Sequence, residues 1–303
     1  MNNQLQTIQL DLLKHPDGVQ GFLDYFRLSS KRPELDDLPG ILQHFAQIPY
    51  ENISKIIKLS RNWDSQVSKI RLPEEVIEAH ISSQLGGTCF SLTFFLQSIL
   101  AQNGFTCYPV MADMKAGKNI RCCLIVVLDS VKYLIDPGYL LTQPMEINPQ
   151  KRKLFRNEFS GIELRFHPSS ETYNLFTFNQ KECKWRYRFR DRAVPSEEFL
   201  QHWLASFGWN SMHGICLTKV MKNGMLYIHK NFMRETTFSD KRNFNIKRNY
   251  HAAIHENFGI DKQIVEQAQA ALHDNLERKK ELGLWVPKKS VLKEIVRDAN
   301  SLP

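Results

Sequence analysis

The chain has no apolar run approaching the roughly 20 residues that a helix needs to cross a bilayer, so no membrane span is expected. Its opening stretch, MNNQLQTIQLDLL, lacks a basic segment followed by a sustained apolar core, and no secretory signal is expected either. Six cysteines in 303 residues, at 89, 107, 122, 123, 183 and 216, are too sparse for the disulfide framework of a small secreted domain and point to a reducing cytoplasm. There is no glycine-rich dinucleotide fingerprint, no phosphate loop with its lysine, no internal repeat and no low-complexity tract. No metal site is expected: Cys122 and Cys123 would point to opposite faces of a strand, and no second ligand pair stands at suitable spacing. Histidine is missing from the whole of 81–166, although ten occur elsewhere.

With hydrophobic residues at 42% and charged residues at 24%, the composition is that of an ordinary globular protein, long enough to bury a large core. The formal charge of +8 is partly local, because residues 221–250 carry seven Lys/Arg against two Asp/Glu. That stretch is open to three readings: a solvated hairpin face, a site for a phosphate-bearing small molecule, or a nucleic-acid surface. Net basicity alone supports the last, since no nucleic-acid-binding module is present.

The first third reads as helical. LPGILQHFAQI (38–48) repeats apolar residues at helical spacing, and LPEEVIEAHISSQL (72–85) has proline at its start and acidic residues in its first turn. The polar segment between them, LSRNWDSQVSKIR, reads as a connection. After Gly86-Gly87-Thr88-Cys89, FSLTFFLQSILAQ (90–102) puts residues 92, 95, 96, 99 and 100 on one apolar helical face, with Gly104 as its stop. CYPVMAD (107–113), CCLIVVL (122–128) and KYLID (132–136) then read as strands, with Asp129-Ser130 as a tight hairpin turn. Folding about that turn brings residue 121 within about two positions of residue 136 on the opposing strand. Short strands continue through IELRFHP, TYNLFTF, CKWRYRF, MHGICLTKV and, beyond an Asn223-Gly224 turn, MLYIHKNFMR. VPSEEFLQHWLASF (194–207) is a helix with Ser196 as cap, KQIVEQAQAALHDNLERKKELGLW is a second from 262, and a short VPKKSVLKEIVRDA segment follows.

Cys89 is the residue with chemistry. At a helix start it meets unpaired backbone N–H groups and the positive end of the helix, and both favour the nucleophilic thiolate. The two glycines before it permit a sharp turn and close approach by a substrate. Taken alone, the segment fits equally a buried core cysteine beside a glycine turn.

The neighbouring blocks add an ordered pattern. Leu85-Gly86-Gly87-Thr88-Cys89-Phe90-Ser91 resembles the Arg-Gly-Gly-x-Cys-Phe-Glu motif of the arylamine N-acetyltransferases, and IPYENIS (48–54) is similar to that family's Ile-Pro-Phe-Glu-Asn-Leu block. NGFTCYPV (103–110), YLIDPGY (133–139), NGMLYIHKNF (223–232) and ENFGI (256–260) continue the likeness in collinear order over nearly the full chain. The resemblance implies an α+β, cysteine-protease-type fold in three parts: a helical part over 1–104 holding Cys89, a β-barrel-like part over 105–192 holding Arg121 and Asp136, and an α/β part with a terminal helix over 193–303. It implies a Cys-His-Asp triad and ping-pong transfer of an acyl group, acetyl above all, from a CoA thioester through Cys89 to a small-molecule amine. Acetyl-CoA or another acyl-CoA would be a cosubstrate, with no permanently bound cofactor. Lys222, Lys230, Lys241 and Arg242 are the candidates, by local charge, for its phosphates. Glu51 and Asn52 match the family and would anchor the helical part near the cleft.

The pattern breaks at the base. The family's histidine falls on Arg121, which can pair with Asp136 and steady a thiolate but stays protonated and cannot act as a base. His80 and His213 are the nearest substitutes by position. Leu85 and Ser91 replace the polar pair that braces the family's nucleophile turn, and Leu140 replaces a glycine at the pocket rim. Three functions follow: an acyltransferase using Cys89, a non-catalytic descendant serving a ligand-binding, assembly or regulatory role in which a protein partner is possible, or other cysteine chemistry on amides or thioesters. Hydrolysis is the chemistry most weakened by the missing histidine, since water needs activation.

Overall fold

The computed structural model describes residues 10–28, 37–65, 67–139, 141, 143–157 and 159–284. Leu140 and the VPKKSVLKEIVRDA segment lie outside them. The N-terminal region comprises α1 (Pro16–Tyr25), α2 (Asp37–Phe45), β1 (Tyr50–Glu51), α3 (Ile53–Arg61), α4 (Pro73–Ser83) and α5 (Cys89–Gln102). Part of the segment 59–71, read as a connection, is helical: α3 runs on to Arg61 because Ile53, Ile56 and Leu59 bury one stripe.

Eight strands follow: β2 (Thr106–Met114), β3 (Gly117–Leu128), β4 (Val131–Ile135), β5 (Met145–Glu146), β6 (Lys153–Arg156), β7 (Gly161–His167), β8 (Thr172–Phe178) and β9 (Cys183–Phe189). They form one antiparallel sheet in the order β5-β4-β3-β2-β9-β8-β7-β6, curled so that its edge strands β5 and β6 touch and nearly close a barrel. Asp129 and Ser130 both take positive φ, 48° and 65°, as a two-residue hairpin turn requires. The β3–β4 register runs from Leu128↔Val131 to Leu124↔Ile135, and the chain then leaves the ladder at Asp136, one residue beyond it, for a short 3-10 turn over Pro137–Tyr139.

The last region holds α6 (Ser196–Ala205), β10 (Cys216–Met221), β11 (Gly224–His229), β12 (Phe232–Thr236), β13 (Lys241–Asn245), α7 (Tyr250–Phe258) and α8 (Lys262–Glu281). MLYIHKNFMR is not one strand: Lys230, at φ 53°, turns the chain between β11 and β12. Ser196 is the first residue of α6, with Pro195 at the cap, and no side chain caps it. The sequence reading gave no helix at 250–258, where α7 buries Tyr250, Ala253, Ile254 and Phe258 at helical spacing.

β1 joins this region's sheet, pairing with β10 through Tyr50↔Thr218 and Glu51↔Leu217. α5 is the central strut. Leu92, Phe95, Leu96, Ile99 and Leu100 pack with α1, α2 and α4, while Phe90 and Phe94 pack with Phe199 and Trp203 of α6. The expected apolar face is therefore only one of two, and every residue from Cys89 to Leu100 is buried. Among the described residues no helix is long and apolar enough to cross a membrane.

Candidate active site

The nucleophile turn is built on close backbone packing. A Cβ on Gly86 would come within 1.9 Å of the Pro49 carbonyl oxygen, and one on Gly87 within 2.3 Å of the Ser91 hydroxyl oxygen. Neither glycine has a positive φ, so their smallness serves close packing against Pro49 and Ser91 rather than a left-handed turn. The Glu51 N–H donates to the Gly87 carbonyl at 3.0 Å, which fastens the turn to β1.

Charged groups complete the brace. The fully buried Glu51 carboxylate accepts from the Gly86 N–H at 3.2 Å, the Ser54 N–H at 2.9 Å and the Ser54 hydroxyl at 2.5 Å. Arg71 lies 3.6 Å from Glu51 and donates to Ser54 Oγ at 2.6 Å and to the Gly86 carbonyl. An arginine from outside the motif thus fills the bracing role left open by Leu85, and Ser91 closes on the Thr88 carbonyl at 3.1 Å. Asn52 reaches across to the last region, donating to the Ser211 and Gly214 carbonyls at 3.0 and 2.8 Å and accepting from the Cys216 N–H at 2.8 Å.

Cys89 is the first residue of α5, preceded by the extended Thr88, and 7% exposed. Its thiol is pulled down to about 7 from 9.0. A hydrogen bond with the Cys122 thiol is the largest cause, burial opposes it, and then Arg121 and Lys55 favour the thiolate while Asp136 disfavours it. Cys122, on β3, is pushed well above the thiol range, first by burial and then by this bond, so it keeps its proton and donates. Thr93 Oγ1 lies 3.4 Å from the Cys122 sulfur, a second acceptor toward which the single thiol proton can turn. Lys55, on α3, donates to the Ser206 hydroxyl at 2.5 Å and carbonyl at 3.2 Å, and burial lowers it to about 8.

Arg121 and Asp136 meet as a buried ion pair, with Arg121 Nη2 at 2.6 and 2.9 Å from the two carboxylate oxygens. Tyr187 of β9 donates its hydroxyl to the same carboxylate at 2.8 Å, and the guanidinium lies 5.2 Å from the centre of its ring. Gly138 is small because a Cβ there would fall 2.6 Å from Arg121 Nη2.

Beside this cluster, between β8–β9 of the barrel and the strands β10–β13, lies a cavity of about 500 Å³. Tyr50, Arg121, Gly138 and Cys216 lie on its wall on the side of Cys89, which itself does not line it. The wall carries Lys184, Arg186, Arg234 and Lys241 besides Arg121, against a single carboxylate, Glu182, which Lys184 and Lys241 already pair.

The N-acetyltransferase family profile matches residues 34–267 of this chain, well over half of it. The chain belongs to that family. Its fold is shared with the arylamine N-acetyltransferase from Mycobacterium abscessus, at TM-score 0.72 and 14% identity over 86% of this chain and 96% of that one. The Mycobacterium marinum enzyme in complex with CoA is similar at TM-score 0.68 and 15% identity, covering 84% and 98%. A third match is the arylamine N-acetyltransferase from Bacillus cereus described as having a Cys-His-Glu triad, at TM-score 0.63 and 17% identity over 81% and 99%. No curated protein sequence gives a significant match.

For a member of this family the site is unusual in its donors. The groups acting most strongly on Cys89 include no histidine. His80 is buried, with its Nδ1 3.2 Å from the Leu85 carbonyl and its ring stacked on Phe26. His213 sits 3.3 Å from Lys279 Nζ and is pushed down to about 4 by burial, then by Lys279 and Lys230. Of the four cations picked for phosphate contact, only Lys241 stands on the cavity wall. Lys222 is in the exposed turn before β11, Lys230 forms the β11–β12 turn, and Arg242 points outward to Asp240 at 3.1 Å. Sequence reasoning missed Lys55, Arg71 and Cys122 as neighbours of the thiol. A lysine on the buried stripe of α3 was the signal for Lys55, whereas Arg71, in a polar connection, carried none. Among the described residues no group of His, Cys, Asp and Glu is arranged to hold a metal ion.

Proposed function

We propose that this protein transfers an acyl group from a CoA thioester through Cys89 to an amine, with Arg121 and Asp136 as the partners that hold the site's charge. The observation that carries the reading is the Cys89 thiol at the start of α5, drawn toward thiolate by Cys122, Arg121 and Lys55 beside a basic cavity. About 500 Å³ is in the range of small-ligand sites and suits a pantetheine arm, and Lys184, Arg186, Arg234 and Lys241 suit its phosphates.

The first half-reaction needs no general base. Cys89 thiolate attacks the thioester carbonyl carbon, the carbonyl π pair moves to oxygen, and its return expels CoA as a thiolate; one thiolate replaces another with no net proton transfer. In the second half the amine nitrogen bonds to the carbonyl carbon, the Cys89 sulfur leaves, and the proton lost by nitrogen ends on that sulfur or in solvent. Arg121 cannot take it, so weakly basic acceptors such as arylamines and aryl- or acylhydrazines, which are unprotonated at neutral pH, are the favoured class. All six cysteines are free, which suits a reducing cytoplasm as the place of action.

Intact-protein mass spectrometry after brief incubation with acetyl-CoA tests this. An acetyl adduct on the unmodified chain that Cys89→Ala abolishes is the expected result. No adduct, with Cys89 still open to a small alkylating agent, would refute acetyl transfer. The position of Cys89 behind the cavity wall favours a second reading, ligand binding without chemistry. Saturable CoA binding without any adduct is its signature.

A further inference from the structure

Tyr50 brings a phenol hydroxyl to the neighbourhood of the reacting sulfur. It lies on β1, pairs with Thr218 of β10 and bridges Gly87, two residues before Cys89. Its ring packs against both of the cores that flank α5, and its open side lines the cavity with Arg121, Gly138 and Cys216. Among the described residues its hydroxyl makes no hydrogen bond. Cys89, Cys216, Arg121 and Cys122 are the ionisable groups around it, Cys89 acting most strongly. Burial and the neighbouring sulfurs push the phenol up, so it keeps its proton and serves as donor only.

We propose that the Tyr50 hydroxyl donates a hydrogen bond to the carbonyl oxygen of the acyl group when Cys89 attacks it. The inference rests on the acyl-transfer reading above. As the S–C bond forms, the displaced π pair resides on oxygen; Tyr50 shares but does not surrender its proton, and the bond relaxes when CoA thiolate leaves. A fixed donor of this kind acts on charge present only in the transition state. The same hydroxyl serves the second tetrahedral stage, when the amine attacks. Phenylalanine, the residue of the resembling family block at this place, keeps the ring and its packing and loses only the donor.

The test measures two rates on the unmodified protein and on Tyr50→Phe: acylation of Cys89 by saturating acetyl-CoA, followed by rapid-quench mass spectrometry, and alkylation of Cys89 by iodoacetamide. Alkylation passes through no oxyanion and reports the thiolate alone. The proposal expects acylation to fall on the order of 100-fold while alkylation and half-saturation by acetyl-CoA stay close to those of the unmodified protein. Equal acylation rates would overturn it, and so would a parallel fall of both rates, which would make the hydroxyl a group that tunes the thiol. If the unmodified protein alkylates at Cys89 but never acylates, the acyl-transfer reading fails and the proposal with it. That failure is recognisable because it precedes any substitution.

Discussion

Replacing Cys122 with alanine removes the hydrogen bond that does most to hold Cys89 near 7. A hydrogen bond to a charged group contributes about 1.5–3 kcal/mol, equivalent to about one to two pK units. The Cys89 thiol in Cys122→Ala is therefore expected at about 8 to 9, and its thiolate fraction at neutral pH falls from about half to about a tenth or less. The assay is the iodoacetamide alkylation rate of Cys89 against pH, read by peptide mass spectrometry so that the exposed Cys183 does not contribute. At neutral pH the rate should drop at least about fivefold, whereas at strongly alkaline pH the two proteins should converge. Cys122→Ser, which keeps a shorter donor, should shift the midpoint less. A midpoint unmoved in Cys122→Ala, in a protein that still melts cooperatively, would refute the assignment of Cys122 as the donor and leave Arg121, Lys55 and the helix start to hold the thiolate.

The same shift makes stability depend on pH. Cys89 titrates near 7 folded and near 9.0 unfolded, so its contribution is fully present above about 9 and is lost as pH falls through 7; the stability gap between the unmodified protein and Cys89→Ala should widen by about 3 kcal/mol over that range, measured by urea unfolding. Arg121→His restores a group able to take a proton beside Asp136, and amine-dependent loss of a preformed acyl group should accelerate about 100-fold; an unchanged rate would show that proton removal does not limit the second half-reaction. Asn52→Ala strips three hydrogen bonds between the start of α3 and the segment 211–216, and denaturant unfolding should register a loss of about 3 kcal/mol. A loss within error would mean that water replaces them and that Asn52 is not the tie between these regions.

Local pattern was enough for much of the fold. Apolar residues at 92, 95, 96, 99 and 100 announced α5, and the Asp129-Ser130 turn between two β-branched runs announced the β3–β4 hairpin. Once that hairpin is drawn, Arg121 must lie near Asp136, since register is set by turn length. The reading failed at short elements: Lys230 turns the chain inside an apparently continuous strand, and α7 went unseen although Tyr250, Ala253, Ile254 and Phe258 stand at helical spacing.

By itself the sequence determined the family, the thiol at a helix start and the loss of the histidine, because each is written in short blocks of residues whose order along the chain is fixed. Tertiary structure alone decided what surrounds the thiol. Cys122, Lys55 and Tyr50 come from β3, α3 and β1, and Arg71 reaches the Gly86 carbonyl from just before α4. Burial and charge pairing depend on which side chains the packed helices and the curled sheet bring together, and no periodicity along the chain encodes that choice.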